Sequence, residues 1–182
     1  MNTPNTTDRY SALSITLHWV MVLLLIAVYA LINLADVLPK GGDTRNLMKT
    51  WHFMLGLSVL ALVLVRIVVN LLNTAPRIVP NPPVLQTKLA KAMHFALYAL
   101  MLGLPIAGWL MLSASGKPIP FFGLQLPSLL AENKNLADNI KELHEAGGTI
   151  GYFLIALHAL AGLYHHYVVK DNTLLRMLPG RR

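Results

Sequence analysis

The chain predicts an all-α membrane protein, a bundle of four transmembrane helices, and three observations predict it. Of the 182 residues, 55% are hydrophobic and only 13% charged, with a mean hydropathy of +0.54. A soluble domain carries about 25% charged residues. Uncharged runs recur four times, at residues 10–35, 50–65 (resuming after Arg66 as 67–72), 92–116 and 146–169. As helices, these are long enough, or nearly so, to cross a hydrocarbon core of roughly 30 Å. Between the runs, prolines and charges cluster, as expected of segments that lie outside the hydrocarbon.

The elements follow in order. Helix 1 is predicted over 13–35. It is not a secretory leader, because its apolar stretch is too long, its flank sets Arg9 against Asp8, and no small-residue cleavage site follows. Helix 2 is predicted over 50–72, with Arg66 as the one clear charge at membrane depth. Residues 73–87 contain Pro76, Pro80, Pro82 and Pro83 and predict an extended, non-helical strap. Helix 3 is predicted over 90–113, with a kink at Pro105, where a backbone donor is missing. The connection 113–145 carries Pro118, Pro120 and Pro127 among Phe121, Phe122, Leu124, Leu129 and Leu130, apolar enough to lie on the membrane surface and cap one end of the bundle. Helix 4 is predicted over 145–170. Residues 1–182 form one integral-membrane unit with no internal repeat and no glycine-rich phosphate loop.

Charge orients the bundle. With the N-terminus inside, the inner segments hold Arg9, Arg66, Arg77, Lys88, Lys91, Lys170, Arg176, Arg181 and Arg182 against Asp8 and Asp171. The outer segments hold Lys40, Arg45, Lys49, Lys117, Lys134 and Lys141 against the remaining acids. This is a positive-inside pattern with both termini cytoplasmic. Anionic lipid on that side accounts for the formal charge of +7, so nucleic acid is not needed as a partner. With no cysteine, the chain excludes disulfides, iron–sulfur ligation and thioether-bound haem.

Seven histidines carry the chemistry. His144 and His158 are fourteen residues apart, about 21 Å along a helix, and His165 continues the series on nearly the same face. Helices 2 and 4 run in the same direction, which puts His52 and His144 together in the outer layer. Helices 1 and 3 run the other way, which puts His18 and His94 toward the inner layer, where either can meet His158. Spacing leaves those two open, and His165 and His166 lie nearer the inner surface. His18 beside Trp19 and His52 beside Trp51 also suit headgroup anchors. Zinc or copper needs three or four ligands at one level, whereas these histidines fall at two. Two axial histidines per iron, with Gly56, Gly147, Gly148 and Gly151 leaving room for a flat macrocycle, fit two haems enclosed by the bundle.

The residues that carry a family resemblance are Ser14-Ile15-Thr16-Leu17-His18-Trp19, Trp51-His52 with Gly56, His144-Glu145 with Gly151-Tyr152-Phe153, and Leu157-His158 leading through His165-His166-Tyr167 to Lys170-Asp171-Asn172-Thr173-Leu174-Leu175-Arg176-Met177. Over nearly its whole length the chain resembles the bacterial cytochrome b561 proteins, and its last stretch resembles their superoxide oxidase branch. The resemblance implies two haem b groups, His18 with His158 on the inner one and His52 with His144 on the outer one, in a multi-pass protein of the bacterial inner membrane. It also implies oxidation of superoxide with ubiquinone as electron acceptor.

Iron with two histidines has no open coordination position, which favours electron transfer over oxygen binding. Lys40, Arg45 and Lys49 cluster near His52 in sequence and suit attraction of an anion, although Asp36 and Asp43 beside them equally suit an ordinary solvated loop. His94, His165 and Arg66 are the candidate contacts for quinone or a haem propionate, Arg66 more for the propionate or a lipid phosphate. No catalytic residue is assigned. Two other functions stay open. One is a cytochrome b subunit relaying electrons between a partner dehydrogenase or hydrogenase and the quinone pool. The other is a haem-free proton or ion transporter, disfavoured because no acidic residue interrupts the uncharged runs.

Overall fold

The computed structural model describes residues 9–179. Asp8, Arg181 and Arg182, counted in the charge balance above, lie outside the described residues. Four long helices dominate: α1 (Ala12–Asp36), α2 (Asp43–Leu72), α3 (Val84–Ala114) and α4 (Lys134–Tyr164). All four are long and apolar enough to cross a membrane. α1 packs against α2, α2 against α3 and α3 against α4. The buried centre is small. Met21, Val59 and Val63 form its middle, while large apolar side chains such as Leu23, Phe95 and Phe153 face outward, as lipid-facing residues do.

Three boundaries depart from the sequence reading. α2 starts at Asp43 rather than 50 and α4 at Lys134 rather than 145, so much of the predicted outer connection is helical. Uncharged runs mark only the part of a helix inside hydrocarbon, whereas a helix of 30 residues is about 45 Å long and projects into water, where charges are welcome. α4 is capped by Asn133, whose Oδ1 accepts from the Leu136 N–H at 3.1 Å. α3 starts at Val84, inside the predicted strap, because Pro83 can precede a first turn whose amides need no partner. It continues through Pro105.

The end of the bundle that the charge pattern assigns to the outside, labelled outer from here on and its opposite inner, carries an antiparallel hairpin that the all-α reading did not include, β1 (Ile119–Phe121) with β2 (Leu124–Leu126). Its two-residue turn sets Phe122 at φ 46° and Gly123 at φ 85°. Ile119, 2% exposed, packs with Leu57 of α2 and Leu112 of α3, so the apolar connection does cap the bundle. The Trp109 Nε1–H donates to the Pro127 carbonyl at 3.0 Å and closes the connection onto α3.

At the inner end α4 runs into a π-helical turn, His165–Val169, which Lys170 stops in the left-handed region at φ 58°. The chain then folds back beneath the strap. Asn172 clamps Val79 from both sides: its N–H donates to the Val79 carbonyl at 3.2 Å and its Oδ1 accepts the Val79 N–H at 2.9 Å. Arg176, 6% exposed, donates to the Pro76 carbonyl and lies 5.6 Å over the Tyr10 ring. The Trp19 Nε1–H donates to the Met177 carbonyl at 2.7 Å, tying this tail to α1 next to His18.

Candidate functional site

His52 on α2 and His144 on α4 meet in the outer half of the bundle, with ring centres 6.2 Å apart and planes at 76°. Both rings are oriented by main-chain carbonyls. His52 Nδ1 lies 2.9 Å from the Val28 oxygen and His144 Nδ1 lies 3.0 Å from the Leu104 oxygen. A carbonyl oxygen only accepts, so each Nδ1 carries the proton and each Nε2 keeps its lone pair, the form a metal ligand requires. Gly108 faces this ring, and a Cβ there would stand 3.5 Å from His144 Cε1, in ordinary van der Waals contact.

A cavity of about 920 Å³ opens beside both rings and touches all four helices. Its volume is in the range that encloses a large organic ligand. The glycines divide by role. Gly56 and Gly148 line the cavity with nothing within 4 Å of an added Cβ. Gly147 instead admits Leu104, whose Cδ2 would lie 2.6 Å from a Cβ, and Gly151 admits the Tyr29 hydroxyl. These two serve close approach between helices. Tyr29 donates to the Gly148 carbonyl at 2.9 Å and Asn33 donates to the Tyr152 hydroxyl at 2.5 Å, so α1 and α4 are joined largely through side chains.

In the inner half His158 faces two neighbours. Its ring centre is 6.4 Å from that of His18 on α1 and 5.3 Å from that of His94 on α3. An iron gripped from opposite sides by two imidazoles, with metal–nitrogen bonds of about 2 Å, holds the ring centres roughly 6.3 Å apart. The outer pair and His18–His158 match that span. His94–His158 is about 1 Å too short for it. Among the described residues, no group of three or more His, Asp or Glu converges as a bare metal ion would need.

The remaining candidates lie apart. Arg66 Nε donates to the Tyr98 hydroxyl at 3.2 Å, beside the inner rings. His165 belongs to a separate polar chain at the inner end, where its Nδ1–H donates to Asp171 Oδ2 at 2.5 Å and Gln86 Nε2 donates to its Nε2 at 3.0 Å. Burial works against the Asp171 charge, but hydrogen bonds from His165 and from the Thr173 N–H outweigh it and hold the carboxyl below its ordinary value. Asp171 is therefore ionised at neutral pH. His166 packs against the Tyr167 ring instead.

At the outer mouth of the cavity the predicted basic cluster is rearranged. Arg45 donates to the Ala35 and Leu38 carbonyls at 2.8 and 2.9 Å and pairs with Asp36 at 3.0 Å, so it closes the C-terminal end of α1. Lys49 lines the mouth together with Lys117 and Lys141, which come from distant parts of the chain. Asp138 and Glu145 lie among them, Glu145 within 3.5 Å of Lys141.

A family model described as prokaryotic cytochrome b561 matches residues 9–180. The chain is 41% identical over 175 residues to cytochrome b561 homolog 1 of Escherichia coli K12, covering 96% of this chain and 99% of that one. It is 41% identical over 174 residues to the probable superoxide oxidase CybB of Yersinia pestis, covering 96% and 98%. Cytochrome b561 homolog 2 of E. coli K12 is 29% identical over 179 residues, covering 98% and 95%.

Proposed function

The chain belongs to the prokaryotic cytochrome b561 family, and from that premise we propose that it is a di-haem enzyme that oxidises superoxide to dioxygen and passes the electrons to ubiquinone. Membership makes it an electron-transfer protein of a bacterial membrane, with haem b as cofactor. The observation that carries the finer reading is the pair of imidazole couples, 6.2 Å apart on the outer level and 6.4 Å apart on the inner. In this reading His52 and His144 hold the outer haem, His18 and His158 hold the inner one, and both termini are cytoplasmic. When bound, the haems supply one-electron carriers with no open coordination position.

The chain's own residues do the rest. Lys49, Lys117 and Lys141 raise the local concentration of an anion at the outer mouth. The carbonyls of Val28 and Leu104 keep the outer imidazoles in one tautomer and one orientation. At the inner end we assign His165 to the quinone: protonated at Nε2 and released from Gln86, with ionised Asp171 balancing its charge, it donates Nε2–H to a quinone carbonyl and delivers that proton to it. His94, beside His158, is a second candidate contact. Two superoxide ions, one quinone and two protons balance two dioxygen molecules and one quinol. The Y. pestis relative's printed name, probable superoxide oxidase, supports the same donor.

The test is stopped-flow mixing of superoxide with the detergent-purified protein and a short-chain ubiquinone. The expected result is prompt growth of the reduced b-type band and about one quinol for every two superoxide ions consumed. A protein that holds its haems and ignores superoxide would instead be the relay subunit of a partner dehydrogenase or hydrogenase.

A further inference from the structure

Arg66 stands fourteen residues after His52 on α2, the same interval that separates His144 from His158 on α4. At 1.5 Å per residue, that puts a guanidinium about 21 Å deeper than His52 on nearly the same face. Helix 2 thus presents a fixed cation at the inner level, where helix 4 presents its second imidazole. A charge at membrane depth ordinarily pairs with another charge or with main-chain carbonyls. Among the described residues the ion pairs are Arg45–Asp36, Lys141–Glu145 and His165–Asp171, and none includes Arg66.

Neutral groups hold it instead. Nε donates to the Tyr98 hydroxyl at 3.2 Å and Nη1 to the Ser14 carbonyl at 3.4 Å. The Tyr98 oxygen also accepts from Asn70 Nδ2 at 2.5 Å, which pins it in place. These contacts position the guanidinium without cancelling its charge. Its field acts on His18, His94 and His158, whereas the charges that act on His52 and His144 are Asp36, Lys49 and Glu145. The two levels therefore stand in different electrostatic surroundings.

We propose that Arg66 sets the reduction potential of the inner haem, making the inner level the stronger electron acceptor and biasing electrons inward from the outer level. The proposal rests on the two-haem reading above. Reduction removes one positive charge from the iron, so a nearby cation favours the reduced form, and the low-dielectric interior strengthens the effect. The direction is the same whether the guanidinium stands alone or faces a haem carboxylate, because in both cases removing it makes the surroundings more negative.

The test is a potentiometric titration of the purified haem-loaded protein, with the inner wave identified as the one missing from His158→Ala. Arg66→Gln should lower the inner midpoint by at least about 59 mV, a tenfold loss of electron preference for a one-electron couple. The outer wave should stay in place, and Arg66→Lys should hold the inner haem's electron preference within about threefold of the wild type. Loss of the inner haem in Arg66→Gln but not in Arg66→Lys also supports a requirement for charge. Both haems retained in Arg66→Gln with neither wave moved would overturn the proposal, as would loss of the inner haem from both variants. If His158→Ala still bound both haems, the two-haem assignment itself would fall instead.

Discussion

His158→Ala leaves the protein with the outer haem alone, about one haem per chain in place of two. In the proposed assignment the inner haem depends on two axial imidazoles, and the ring centres of His18 and His158 lie 6.4 Å apart, the span an iron between them needs. Removing one ligand takes away half of the axial grip and leaves a void where the imidazole packed. His94→Ala has the opposite outcome, since a ring centre 5.3 Å from that of His158 is a neighbour of the ligand rather than its partner across an iron. Haem content by pyridine haemochrome on the purified variants reads both results. Loss of a haem from His94→Ala, with full retention in His18→Ala, would reverse the inner assignment.

His144→Ala removes the outer haem, and superoxide-driven reduction of the remaining inner haem slows by at least about tenfold. The electron then has to enter about 21 Å from the former outer level. Dithionite, which needs no specific entry point, still reduces the inner haem in full. That contrast separates a lost entry site from a misfolded protein. A His144→Ala variant that lost the outer haem yet took electrons from superoxide at the wild-type rate would place the entry point elsewhere and remove any role for Lys49, Lys117 and Lys141.

The four helices and the two levels of histidine could be read from the chain because both depend on simple periodicities. Uncharged length marks a membrane crossing, and the fourteen-residue step marks one face. The helix ends could not, because Asp43, Arg45 and Lys49 in α2 and the charged first turns of α4 look like loop wherever charge is the criterion. The hairpin was hidden because its turn uses Phe122 at positive φ, a conformation that bulky residues seldom adopt.

Depth along a helix placed His18 and His94 at one level but says nothing about lateral packing, so only the family resemblance favoured His18, and the ring separations of 6.4 and 5.3 Å support the same proposal. The carbonyls of Val28 and Leu104 that orient the outer rings leave no trace in sequence, because every residue carries one. The charge balance puts Lys117 and Lys141 on the outer side without grouping them with Lys49, because folding, not proximity in the chain, brings them to it. Likewise Gln86 joins His165 across 79 positions.

The most direct measurement of the central claim is haem stoichiometry with a low-temperature electron paramagnetic resonance spectrum on the wild-type protein. About two b-type haems per chain are expected, both low-spin, as iron with two axial imidazoles requires. One haem per chain, or a high-spin signal from an iron with an open position, would contradict it.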